Sequence, residues 1–113
     1  MLLKLLTVTK DARSGFTPRV VCKDGYNVSI QSGPFSYCTP RTLSKNAANY
    51  THFELGYPSV SDELLDEYAE NSSDYTDTVY SQVPIEVILE LVDKHGGVNL
   101  PEDFVDNEEE LLI

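Results

Sequence analysis

His52, His95, Cys22 and Cys38 are the side chains best suited to proton transfer or nucleophilic attack near neutral pH. His52 stands two positions before Glu54, and a His-x-Glu pair on one side of a strand could orient an imidazole. Cys38 and His52 could serve as nucleophile and base, yet no spacing supplies a third group to orient the base. The simpler reading places His52 on a solvated strand face. It places His95 at a helix C-terminus, where a cationic ring complements the dipole. Cys22 and Cys38 are too far apart for a redox motif and too few for a zinc site, so they read as buried free thiols. The acidic residues lack the spacing and central glycine of a calcium loop. Neither a phosphate loop of the Gly-Lys-Ser/Thr kind nor a dinucleotide fingerprint occurs. No catalytic residue, metal or cofactor is expected, and the chain is expected to work by binding.

Charge points to one binding surface. Residues 1–50 carry seven basic and two acidic side chains, a net +5, whereas residues 51–113 carry one basic and 17 acidic, a net −16. The total of −11 disfavours nucleic acid or an anionic membrane as a direct partner of the average surface. The acidic set is Asp62, Glu63, Asp66, Glu67, Glu70, Asp74 and Asp77. Carboxylates on adjacent turns of a helix repel one another and present one anionic face. Such a face can mimic a phosphate backbone towards a protein, or protein–nucleic-acid complex, with a basic surface. The plain alternative is a solvated helix face in an acidic protein.

A second candidate surface is the segment Gln31 to Arg41, which clusters turn formers, hydroxyls, two aromatics and an arginine. Tyr37, Arg41, Glu54 and Tyr57 could line a small-ligand site, with rings to stack on a base and a guanidinium to take a phosphate or carboxylate. Its ordinary reading is a hairpin and connecting loop with Phe35 in the core. A third option, a basic sheet touching nucleic acid through Arg19, Lys23 and Arg41, ranks last given the net charge.

These residues need elements to position them. Residues 2–9, rich in Leu, Val and Thr, read as a first strand. Arg19 to Lys23 and Tyr26 to Ile30 read as a hairpin around Asp24-Gly25 in a two-residue type I′ turn, pairing Val21 with Val28, Lys23 with Tyr26 and Val20 with Ser29. Tyr26, Val28 and Ile30 then share the buried face. Residues 35–38 read as a short strand, 42–49 as a loop, and 50–55 as a strand with Phe53 and Leu55 inward. A hydroxyl cap and early carboxylates start a helix over about 61–70. Asn71 to Asp77 reads as polar and flexible, and 78–81 as a last strand. Pro84 opens a second helix, 84–95, which Gly96-Gly97 ends. Residues 101–113 read as an acidic tail, either mobile or docked only by Phe104 and the final Leu-Leu-Ile.

The pattern predicts one α+β domain over 1–100, with a mostly antiparallel sheet of about four to six short strands and two helices. A chain of 113 residues supports one hydrophobic core and not two. No run approaches the 18 apolar residues of a membrane span, and the first eight residues are too short for a signal sequence, so a cytosolic protein is expected. Nothing in the pattern decides for or against self-association.

Lys23-Asp24-Gly25-Tyr26-Asn27-Val28-Ser29-Ile30-Gln31, Tyr37-Cys38-Thr39-Pro40-Arg41, Glu54-Leu55-Gly56-Tyr57-Pro58-Ser59, Val79-Tyr80, Val83-Pro84 and His95-Gly96-Gly97 together resemble a family of small uncharacterised bacteriophage proteins. The resemblance covers about residues 1–98. It implies a phage or prophage origin and the cytoplasm of a bacterial host, and it carries no activity. In size and charge the chain is also similar to phage inhibitors of host defence, the anti-CRISPR and anti-restriction proteins. That similarity is one of class and brings no site residue with it. Two functions are thereby expected in turn: an inhibitor that occupies a basic surface of a host nucleic-acid-binding complex, or a sponge for a defence-signalling nucleotide.

Overall fold

The computed structural model describes residues 1–101, and the expected tail beyond Pro101 lies outside the described residues. Its elements are α1 (Leu2–Thr9), β1 (Val20–Val21), β2 (Asn27–Gln31), β3 (His52–Gly56), β4 (Val79–Pro84) and α2 (Ile85–Lys94). The four strands form one antiparallel sheet in the order β1-β2-β3-β4. This is the small α+β fold expected.

Along β2 and β3 the alternation of apolar and polar residues sets the inward face, because successive strand side chains point to opposite sides. Tyr26, Val28, Ile30, Phe53 and Leu55 are buried, and Asn27, Ser29, Gln31, His52 and Glu54 are partly exposed. Tyr80 and Val83 add the inward residues of β4, and the core closes with Leu2, Leu5 and Leu6 of α1 and Ile88, Leu91 and Val92 of α2. Both cysteines are buried free thiols.

Residues 2–9 form a helix rather than a strand. Leu2, Leu5 and Leu6 recur at i, i+3 and i+4, and leucine is a strong helix former. Thr7 and Thr9, read as strand formers, instead donate their hydroxyls to the carbonyls four residues back.

The hairpin forms one residue out of the expected register, pairing Val20 with Val28 and Val21 with Asn27. Gly25 N–H donates to Cys22 O, Cys22 N–H donates to Tyr26 O, and Gly25 has φ +96°. The loop therefore has three residues and a bulge at glycine instead of a two-residue turn. One residue of shift exchanges the faces of β1, so Val20 is buried and Val21 is exposed.

Residues 35–38 are not a strand, and Phe35 is outside the core at 91% exposure. The expected helix over 61–70 is a single 3₁₀ segment, Glu63–Tyr68, capped by Asp62 rather than by a hydroxyl. Asn71 to Asp77, expected to be loose, is tied by hydrogen bonds. Asn71 N–H donates to Thr78 Oγ1, Asp74 Oδ1 accepts from Thr76, and the Tyr80 hydroxyl donates to Tyr75 O.

Both lateral margins of the sheet are covered. Beyond β1, Cys22 bridges Val98, and Asn99 N–H donates to Val21 O. Beyond β4, Ala69 bridges Tyr80, Glu70 N–H donates to Val79 O, and Gln82 N–H donates to Tyr37 O.

Candidate functional site

The densest cluster of titratable groups lies where α2 ends. Gly96 takes a positive φ that turns the chain back, and His95 O accepts the N–H of Asp24 in the hairpin loop. His95 Nδ1 lies 2.6 Å from Asp24 Oδ2 and Nε2 lies 2.9 Å from Asp62 Oδ2. The ring stacks on Tyr26 with centroids 4.0 Å apart and planes within 10°. Asp62 Oδ1 accepts from Leu64 N–H at 3.0 Å and from Lys94 Nζ at 3.1 Å. The Asp62 side chain is 3% exposed.

Asp24, Ser59 and His95 line one shallow cavity, the residue types of a hydrolytic triad. The geometry does not support that chemistry. Both His95 nitrogens face carboxylates, so in the protonated ring both donate to them and neither is free to take a proton from a nucleophile. Ser59 Oγ instead accepts the Asn27 N–H at 3.0 Å. The cluster clamps the end of α2 to the hairpin loop and to the 3₁₀ segment.

Burial alone would lower the His95 pKa, but the hydrogen bonds to Asp24 and Asp62 outweigh it and raise it above the usual imidazole value. Burial alone would raise Asp62, but Leu64 N–H, His95 and Lys94 outweigh it and hold the carboxyl below the usual range. Asp24 is lowered by the Tyr26 N–H and by His95. A raised histidine stabilises fully below its unfolded value of 6.5 and loses that contribution as pH climbs through its folded value. The lowered carboxyls stabilise above 3.8 and lose that contribution as pH falls through their folded values. The clamp is thus complete between about pH 4 and 6.5. The thermal midpoint is expected to fall as pH rises from 6.5 through the folded His95 value, and His95→Gln is expected to remove that slope. A pH series of melting curves at constant ionic strength measures both, and an unchanged slope in the variant rules out His95 as its source.

The seven acidic residues separate into two groups. Asp62, expected on the exposed face, is buried within the clamp, because it caps the 3₁₀ segment and meets two cations. Glu63, Glu67, Glu70, Asp74 and Asp77 are exposed, and Asp66 is partly so. Among the described residues, none of these six makes an ion pair.

Tyr37, Arg41 and Glu54 come together, and Tyr57 does not join them. Arg41 lies 5.5 Å from the Tyr37 ring centre, and Glu54 Oε2 accepts the Tyr37 N–H at 2.9 Å. Tyr57 lies past the far end of β3, where Arg19 and Thr78 hold its backbone. Gln82 belongs with the first three and was not singled out from sequence. It sits at the bulge between β3 and β4 with φ +53°. Its Nε2 donates to Cys38 O at 3.0 Å, and its Oε1 accepts from Thr39 Oγ1. No sequence signal marks a glutamine for the left-handed region.

No family model, curated protein or solved structure matches the chain.

The chemical alternatives narrow from the geometry. Thr39 pairs with His52, which sends Cys38 to the other face, where its Sγ meets Gly33 and Pro40. Cys38 and His52 are thus not a nucleophile and base. Among the described residues, no three His, Cys, Asp or Glu side chains are placed to hold a metal ion. No described helix is long and apolar enough to cross a membrane.

Proposed function

We propose that the chain is a non-catalytic binding protein, a phage-encoded inhibitor that covers a basic surface on a host nucleic-acid-binding defence complex. The observation that carries this reading is the exposure of Glu63, Glu67, Glu70, Asp74 and Asp77, none of them ion-paired among the described residues. The backbone behind them is held at defined points. Leu65 is buried beneath the 3₁₀ segment, and the 70–78 loop is pinned to β4 through Val79 and Thr78. An anionic face on a fixed frame suits electrostatic complementarity better than the same charges on a loose chain. The commitment of both His95 nitrogens to carboxylates supports a binding role over an acid–base one. The phage origin and the host complex follow the motif resemblance and the size and charge of the chain.

Binding of this kind weakens with salt, since exposed charges more than about 10 Å apart are screened at 0.1 M. Affinity purification from a bacterial lysate at about 50 and 200 mM salt is expected to retain a nucleic-acid-binding protein at the lower salt only. The full chain carrying Glu63→Lys, Glu67→Lys and Glu70→Lys is expected to retain none at either. Retention indifferent to both salt and charge reversal excludes the acidic face. A small-ligand role would instead draw on Tyr37 and Arg41, and would leave retention by the acidic face unaltered.

A further inference from the structure

The loop after α1 and the loop after β2 enclose two hollows that meet at Leu43. One, about 160 Å³, is lined by Phe16, Phe35 and Leu43 with Arg13. The other, about 400 Å³, is lined by Val8 and Leu43 with Lys10 and Lys45. Ala12, Gly15 and Leu43 belong to both, so the hollows form one groove. Phe35 is 91% exposed, Leu43 73% and Phe16 57%. A single exposed apolar side chain is ordinary, whereas three line this one groove. The charge there runs against the rest of the molecule. Three cations line the groove against one anion, Asp11, in a chain of net −11. Asp11 is engaged locally, accepting the Ser14 N–H at 3.0 Å. Lys10 is held in place by Ser32 O at 2.9 Å and by the Tyr50 ring at 5.2 Å.

We infer that this groove docks a peptide segment of a partner protein in which acidic side chains flank one or two large apolar anchors. The smaller hollow has the volume of a site for one benzene-sized ring, about 150 Å³, and Leu43 divides it from a second seat. Both hollows are partly open to solvent, whereas small-molecule sites enclose most of their ligand. The cations select acidic flanks through charge complementarity. This groove is separate from the acidic face, so the two readings stand or fall independently.

A random peptide library is selected on the full chain and, in parallel, on Leu43→Asp and on Arg13→Glu/Lys45→Glu. Leu43 and its neighbours are exposed, so the variants are expected to keep the parent melting temperature. Enrichment of acidic peptides bearing Leu or Phe is expected on the parent. Their affinity is expected to fall at least about tenfold on each variant, as loss of a central anchor or of paired charge implies. No enrichment, or enrichment of basic peptides, overturns the proposal. So does displacement of the enriched peptide by a single-stranded oligonucleotide of higher affinity, or a parent dimer that Leu43→Asp dissociates. Tighter peptide binding by the full chain carrying Phe104→Ser and Leu112→Ser would name the chain's own terminus as the occupant, and overturn it too.

Discussion

Asp62→Ala is expected to lower the free energy of unfolding by about 3 kcal/mol, the scale of breaking a buried ion pair from one side. Roughly 15 °C in thermal midpoint follows for a domain of this size. The substitution removes the cap from Leu64 N–H and leaves His95 Nε2 and the half-exposed Lys94 without the carboxylate they share. Asp62→Asn keeps an acceptor for Leu64 and loses the charge, so its cost is expected to fall between that of alanine and zero. Lys94→Ala removes a half-exposed partner and is expected to cost well under half as much. Urea unfolding of the three variants checks the order. An Asp62→Ala midpoint equal to the parent's would mean that the clamp does not hold the fold together.

Phe53→Ala is expected to cost about 4 kcal/mol, the range for truncating a fully buried aromatic side chain. Phe53 is fully buried, second along β3, with its ring 5.8 Å from that of Tyr50 and its backbone paired with Val83. Small domains unfold at a cost of about 5 to 15 kcal/mol in all, so this single truncation removes about a quarter or more of the total. The denaturant midpoint is expected to fall with the slope unchanged. Asp62 and Phe53 share no partner, and the double variant is expected to lose close to the sum. A marked shortfall would reveal coupling between the clamp and the sheet centre.

These two residues also mark what could be read from the chain alone. Phe53 was legible because strict alternation over Phe53, Glu54 and Leu55 leaves one assignment of faces. The same rule placed Tyr26, Val28 and Ile30, and Pro84 with Gly96-Gly97 bracketed α2. Asp62 was not legible. Its burial depends on Lys94 and His95, more than thirty positions away, and an aspartate beside four other acids looks like surface. The strand expected over residues 2–9 gives way to a helix because the i, i+3, i+4 spacing of Leu2, Leu5 and Leu6 outweighs the strand preference of Val and Thr. The hairpin register slipped because Asp-Gly suits a two-residue turn and a three-residue loop with a bulge alike. Of the candidate ligand residues, Tyr37, Arg41 and Glu54 do converge, but Gln82 joins them through a left-handed backbone at a bulge that no residue type announced.

The covered margins of the sheet restrict how any partner can attach. A strand with unpaired amides invites a foreign chain to lie alongside and continue the ladder, as in β-augmentation and in fibril growth. Here the return through Val98 and Asn99 takes up that role beside β1, and Ala69, Glu70 and Tyr37 take it up beside β4. Main-chain templating is thus closed at both flanks. Any recognition is then expected to run through side chains, so that point substitution is expected to retune it while the backbone scaffold is kept.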